Sequence, residues 1–282
     1  MIYQDRHGRS VVPEVLSPAK DVAVPGVSLL RPLKSLLLAG AAAVALAGCA
    51  VNVASTAPMR SPDYSGQTAD EAQATVGQLA TRYKANPHDK TTIIYYAAAL
   101  RAAGQPAQAV AVIEAGLADN PKDVDLRVNY AKALAAAGRY NQALNVINDA
   151  IRPDAPDWNA LLVKGAILDQ TGNPSEARLI YSQALLIAPN EPSIEGNLGL
   201  SYAMTNDLPE AEQHLRKAAA MPGATSRIRQ NLALVVGLEG RFDEARALYA
   251  AELPPDQVEQ NMAYIKSMLS QQNRWAAIKA GQ

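Results

Sequence analysis

The chain has little of what most often performs chemistry or staples a small domain. One residue in 282 is cysteine, so no disulfide can close within the chain. Three are histidine, and His7, His88 and His214 stand far from one another and from the cysteine, without metal-ligand spacing. One phenylalanine and two tryptophans leave no material for a conventional aromatic core. The formal net charge is −1 and no basic stripe is present, which speaks against nucleic acid as a partner. Acidic pairs such as Asp70-Glu71 and Asp243-Glu244 fall where helices begin, and the close glycines Gly237 and Gly240 belong to a helix turn. With no phosphate loop and no nucleophile elbow, the expectation is a protein that is not an enzyme, with no metal, no cofactor and no small-molecule substrate.

What the chain does have is alanine and a period of 34. Slid against itself in that step, it aligns Ala97, Ala131, Gly165, Gly199 and Ala233 in one column, and Leu100, Leu134, Leu168, Tyr202 and Val236 in a second. A third column reads Gly104, Gly138, Gly172, Asn206, Gly240, and a fourth is unbroken alanine: Ala109, Ala143, Ala177, Ala211, Ala245. Four columns in phase without an insertion mark a true repeat. Small residues in the first and fourth columns let two helices approach closely. The third supplies a residue suited to the left-handed conformation that ends a helix. Asn173-Pro174-Ser175-Glu176 and Asp207-Leu208-Pro209-Glu210 then read as helix starts with a capping side chain and a first-turn proline. Pro87, Pro121 and Pro189 close the second helix at one phase, with Pro156 one residue late. A hairpin of two helices cannot bury its apolar face alone, so neighbours must stack.

Period, turn glycine and helix-end proline together resemble the tetratricopeptide repeat, best in Asn197-Leu198-Gly199-Leu200-Ser201-Tyr202 and in Ala177, Tyr181, Ala184 and Pro189. The early aromatic position of that family holds Ile93, Arg127, Leu161, Glu195 and Arg229 instead, and the fifth repeat is worn at Glu252 and Pro254-Pro255. The resemblance implies an all-α, right-handed superhelical solenoid of about five helix hairpins with leading and capping helices. Repeats are expected near 90–123, 124–157, 158–191, 192–225 and 226–256, with a cap over 257–282. It also implies a partner-binding groove lined by the first helix of each pair. Carried over by position, the lining is Ile94, Ala98, Arg101, Val128, Asn129, Lys132, Asn159, Leu162, Asp169, Asn197, Leu200, Met204, Gln230, Asn231, Leu234 and Leu238. That set is mostly apolar, which suits an amphipathic helix or an extended apolar segment. Asn129, Asn197 and Asn231 are placed to bond a ligand's backbone amides.

The first 48 residues have a different character. Residues 1–26 carry Pro13, Pro18 and Pro25 and no helical period, and read as disordered or untranslated, with a start near Val27. Arg31 and Lys34 then precede an apolar run of about 11 residues and Ala47-Gly48-Cys49, the layout of a secretory signal too short to span a bilayer. Leu46-Ala47-Gly48-Cys49 resembles the bacterial lipobox, which implies that Cys49 opens the mature chain and carries acyl groups; Ala50 by the same resemblance favours the outer membrane. Residues 49–67, rich in Ser, Thr and Pro, read as a flexible tether. Thr68 to Ala85 reads as a leading helix with Ala72, Val76, Leu79, Ala80 and Tyr83 on one face. Met262, Ile265, Met268 and Leu269 mark a closing helix, its face extended by Trp275, Ala276 and Ile278.

Lipobox, tether, five repeats and a last helix containing Leu253-Pro254-Pro255-Asp256-Gln257 and Asn261-Met262-Ala263-Tyr264-Ile265 together resemble the TadD lipoproteins of the tight-adherence (Flp) pilus. This implies a periplasm-facing outer-membrane lipoprotein of a Gram-negative bacterium that binds envelope proteins of a pilus secretion machine, the secretin foremost. An outer-membrane barrel-assembly lipoprotein and a cell-wall-associated adaptor remain as alternatives.

Overall fold

The computed structural model describes residues 62–64 and 67–280, with side chains to 271, and the backbone of a two-residue antiparallel ladder pairing β1 (Tyr3–Gln4) with β2 (Ser10–Val11). The signal, the lipobox and Cys49 lie outside the described residues, as do the side chains of Trp275, Ala276 and Ile278. From residue 69 to residue 280 the chain is helices joined by short turns. After α1 (Ala69–Ala85) come five pairs: α2 (Lys90–Ala102) with α3 (Pro106–Asp119), α4 (Val124–Ala136) with α5 (Tyr140–Ala150), α6 (Trp158–Gln170) with α7 (Pro174–Ile187), α8 (Pro192–Met204) with α9 (Leu208–Ala220), and α10 (Ser226–Leu238) with α11 (Phe242–Ala250). The long α12 (Pro255–Ala280) closes the stack. The fifth pair is indeed short, its second helix having 9 residues. No helix among the described residues is long and apolar enough to cross a membrane.

The turn column behaves as its chemistry requires. Gly104, Gly138, Gly172, Asn206 and Gly240 all have positive φ, between 61° and 85°. The residue after each donates its N–H back to the second column: Gln105 to Leu100, Arg139 to Leu134, Asn173 to Leu168, Asp207 to Tyr202 and Arg241 to Val236, at 2.8 to 3.2 Å. This six-to-one bond closes the first helix of every pair in a Schellman turn, so turn and helix end are one device repeated five times.

Helix starts are divided differently from the sequence expectation. Asn173 and Asp207 make no side-chain cap on α7 and α9; the Asn173 amide donates instead to the Thr171 carbonyl at 3.2 Å. The backbone at both, with ψ of 56° and 72°, departs from the extended conformation of the residues that do cap, so the side chain is not aimed at the first-turn N–H groups. The caps sit on the other helix of each pair. Asp89, Asp123, Asp157, Glu191 and Thr225 accept the N–H of Thr92, Leu126, Asn159, Ser193 and Ile228 at 2.9 to 3.4 Å.

Packing fixes the curvature. Each helix packs on its hairpin partner and on the next hairpin. The first helices also touch along the stack, α2 on α4, α4 on α6, α6 on α8 and α8 on α10, while no second helix of a described pair touches the next second helix. Helices that touch lie on the inside of a bend and those that part lie outside, so α2, α4, α6, α8 and α10 form the concave wall. The alanine column is fully buried at all five positions. A Cβ on Gly165 would lie 2.4 Å from the Tyr181 ring, and one on Gly199 3.0 Å from the Ala211 carbonyl, so only glycine permits those approaches. At the position where the family carries an aromatic, polar side chains find polar partners. Arg127 donates to the carbonyls of Pro121 and Asp149 at 2.9 and 3.1 Å, Arg229 binds Glu252, and buried Glu195 holds His214 at 2.7 Å and Lys217 at 2.5 Å. The ends are covered as expected. α1 buries Ala72, Val76 and Leu79 on α2, and α12 buries Val258, Met262 and Ile265 on α10 and α11.

Candidate protein-binding groove

The concave wall consists of short helices each locked at both ends, by a capping side chain at the start and a Schellman turn at the finish. A wall so fixed presents its side chains at set spacings to anything lying in the bend. Of the sixteen residues assigned to it by position, nine are buried: Ile94, Ala98, Val128, Asn129, Asn159, Leu162, Asp169, Asn231 and Leu234. Arg101, Lys132, Asn197, Leu200, Gln230 and Leu238 are partly exposed, and Met204 is 40 % exposed. Most of the apolar members thus form the body of the wall, and the surface it offers is more polar and more cationic than the sixteen residues taken together.

Three features give that surface its chemistry. The first is a pair of buried, unsatisfied acceptors. Asn129 donates its amide to the Asp125 carbonyl at 2.9 Å, yet its Oδ1, like that of Asn231, has no hydrogen-bond partner. An unpaired buried carbonyl is costly, and a backbone N–H brought to it would relieve that cost. Asn197, the third of the set, is only partly buried.

The second is a polar lock inside the wall. Asp169 accepts from the Ser201 hydroxyl at 2.7 Å and from the Tyr181 hydroxyl at 2.9 Å. Burial raises the Asp169 carboxyl above the usual range despite both bonds, and burial together with the Asp169 charge raises the Tyr181 phenol. Asp169 is thereby structural, tying α6 to α7 and α8, and is not presented to a ligand. Lys132 reaches Asn159 Oδ1 at 3.4 Å.

The third is a pair of arginines at opposite ends of the wall. Arg101 is on the last turn of α2 and Arg227 on the first turn of α10. The bend brings Arg227 close enough to weaken the hold of Arg101 on its proton, and Asp63, 3.8 Å from Arg227, acts on Arg101 in the opposite sense. Arg101 keeps some exposed surface but sits deep among protein atoms; burial brings its guanidinium down to about 10, opposed by Asp63 and reinforced by Arg227. It stays charged at neutral pH, and among the described residues no carboxylate stands within ion-pair distance of it. Position along the repeat found Arg101, but Arg227 and Asp63 were missed. Nothing in the spacing shows that residues four hairpins apart share one space, since that depends on the angle of the bend.

The described part of the segment carrying Asp63, the end of the expected flexible tether, is docked on the solenoid. Tyr64 is partly buried against the first core cluster, its carbonyl accepts the Gln67 N–H at 3.2 Å, and the Gln67 amide donates to Thr75 at 2.9 Å. His88 and His214 each lie on a carboxylate, Asp119 at 2.6 Å and Glu195 at 2.7 Å, with His214 also stacked on Tyr202. No group of three or more metal-binding side chains occurs among the described residues.

A stack of capped helix hairpins with a concave inner wall defines a helical-repeat binding scaffold, and sequence comparison gives the repeat its name. Family profiles described as tetratricopeptide repeat match residues 100–167, 159–191 and 194–217. Those stretches of the chain are tetratricopeptide repeats. Solved structures agree on the fold. A tetratricopeptide-repeat protein of Thermus thermophilus is 22 % identical with a TM-score of 0.52, the match covering 69 % of this chain and 98 % of that one. Human IFIT1, solved as a dimer with m7Gppp-AAAA, is 14 % identical with a TM-score of 0.55 over 71 % of this chain, which spans 50 % of its length. PilF of Pseudomonas aeruginosa is 16 % identical over 64 % of this chain and 90 % of its own, with a TM-score of 0.44, too low to bear on function. No curated protein matches in sequence.

Proposed function

We propose that the chain is a lipid-anchored scaffold of the bacterial outer membrane, facing the periplasm, that holds a protein of a Tad/Flp pilus secretion machine, the secretin foremost, in the bend of its repeats. The observation that carries this reading is the placing of the only cysteine, Cys49, at the end of Leu46-Ala47-Gly48-Cys49, directly ahead of a tetratricopeptide-repeat solenoid. A repeat solenoid offers an extended binding surface, and the concave wall here supplies orphan acceptors and cations suited to an extended segment. A bilayer anchor would confine that surface to the envelope. In this reading the protein binds and does not catalyse.

The test is crosslinking in living cells from a photoreactive residue placed at Gln230, which is partly exposed on the wall. Recovery of the secretin or another pilus component supports the proposal. Recovery of barrel-assembly proteins alone would replace the pilus reading with the barrel-assembly one. Leu200→Glu with Leu238→Glu is the control, because both side chains are partly exposed. Leu234 is 6 % exposed, and a carboxylate there would unfold the repeat rather than probe the surface. Unchanged capture by the folded double variant would remove the concave wall from the argument.

A further inference from the structure

Residues 62–64 cross from the leading helix to the fifth hairpin, and no other described contact spans that gap. α2 and α10 do not pack on each other, so Asp63, 3.8 Å from Arg227, makes the link. The segment is anchored at its other end by Tyr64 against the first core cluster and by the Gln67 bond to Thr75. Charge explains why it lies there. Arg227 bears on Arg101 as a like charge, and the Asp63 carboxylate, 3.8 Å from Arg227, offsets that repulsion. The contact is also exchangeable. The Arg227 and Asp63 side chains keep 56 % and 41 % of their surface, so water and salt reach the pair.

We propose that residues 62–64 are a built-in occupant of the groove, a strap whose Asp63 carboxylate rests beside Arg227 and whose Tyr64 ring packs on the first core cluster until an extended partner segment of the same chemistry, an acidic side chain next to an aromatic ring, displaces them. This rests on the reading of the concave wall as a protein-binding surface, and adds to it the chemistry of the ligand and a threshold for binding. A strap joined to its seat by a few residues acts at an effective concentration on the order of 1 mM. Against a seat that takes the same segment at about 100 μM when free, this lowers apparent affinity for an outside ligand about tenfold.

The probe is a fluorescein-labelled peptide with the sequence of residues 58–67, titrated by anisotropy against the full chain in detergent. The variant Asp63→Asn with Tyr64→Ala empties the seat and is expected to bind the peptide about tenfold tighter than the unmodified chain. Adding Arg227→Gln, on an exposed side chain whose loss does not threaten the fold, is expected to abolish that gain. Thermal unfolding of each variant confirms that it is folded. Equal affinity of the unmodified and emptied chains overturns the strap, as do undiminished binding after Arg227→Gln and absence of binding by every form. If the strap fails while the crosslink from Gln230 still recovers a partner that Leu200→Glu with Leu238→Glu loses, the groove stands without it. Loss of both results removes the groove as well.

Discussion

The Tyr181 hydroxyl donates to Asp169 across 2.9 Å inside the wall, where both side chains are buried and Ser201 supplies the carboxylate's other bond. Burial raises the Asp169 carboxyl, so its charged form is less favourable in the folded chain than in the unfolded one. Its contribution to stability is therefore full below the unfolded value, about 3.9, falls as pH rises through the folded value, and is level above it. Asp169→Asn removes the charge and leaves a side chain that can still bond to Tyr181 and Ser201. The expected outcome is an unfolding midpoint equal to or above that of the unmodified chain at pH 7, with the difference vanishing towards pH 4. Asp169→Ala should instead cost about 1–3 kcal/mol, because the Tyr181 hydroxyl loses its acceptor. Thermal melts from pH 4 to 8 distinguish the two.

Two glycines should respond to alanine in opposite directions. Gly165 faces the Tyr181 ring, where a Cβ would lie 2.4 Å from Cε1, and the ring is wedged in the core and has no room to move. Gly165→Ala is expected to destabilise by about 1–3 kcal/mol through overpacking. Gly77 is on the exposed face of α1, and a Cβ there would meet nothing within 4 Å. Gly77→Ala is expected to stabilise by about 0.5–1 kcal/mol, because glycine in a helix loses the more backbone freedom on folding. Urea unfolding followed by circular dichroism measures both.

The capping column gives a third outcome. Asp89 accepts the Thr92 N–H at 2.9 Å and the Thr92 hydroxyl at 2.5 Å, bonds that hold its carboxyl below the usual range. Asp89→Ala should cost about 1 kcal/mol, and Asp89→Asn, which can still cap, much less. The carboxylate's own share is present above its unfolded value and is lost as pH falls through the lowered folded one. The gap between the Asp and Asn forms should thus close in acid. A gap that stays constant down to pH 2 would show that the charge contributes nothing beyond the cap.

The period carried the hairpins because it records backbone demands. A left-handed turn admits few residues, and Gly104 through Gly240 announce it. The caps repeat at the same interval, Asp89, Asp123, Asp157, Glu191 and Thr225, but no single residue type fills that column, and a helix start can be capped by several side chains. Asn173 and Asp207 have the residue type that suits a cap, but their backbone is not extended as that of a capping residue is. The groove was less legible still. Position in the repeat told which helix faces inward. It did not tell that Ile94 and Val128 lie wholly within the wall, or that the bend sets Arg227 beside Arg101. Burial and curvature depend on how hairpins stack, and a sequence read one repeat at a time does not contain the stacking angle.

The proposed lipid anchor gives the last prediction, on residues outside those described. Cys49 is the only thiol in the chain, so label from radioactive palmitate recovered with the protein reports acylation, and Cys49→Ala is expected to abolish it. One acyl chain holds a protein to a bilayer only weakly and reversibly, whereas two or more hold it firmly. A lipoprotein carrying three should stay with the membrane through salt and carbonate washes, and the Cys49→Ala form should move to the soluble fraction. The repeats need no lipid to fold, since both ends of the stack are covered by α1 and α12. The soluble variant should therefore melt at the same temperature as the anchored chain and still bind a partner when mixed with it, while failing to support pilus assembly in cells. A Cys49→Ala chain that stays membrane-bound after washing would move the anchor to another part of the molecule. One that supports assembly from the soluble fraction would show that the repeats work without being confined to a surface.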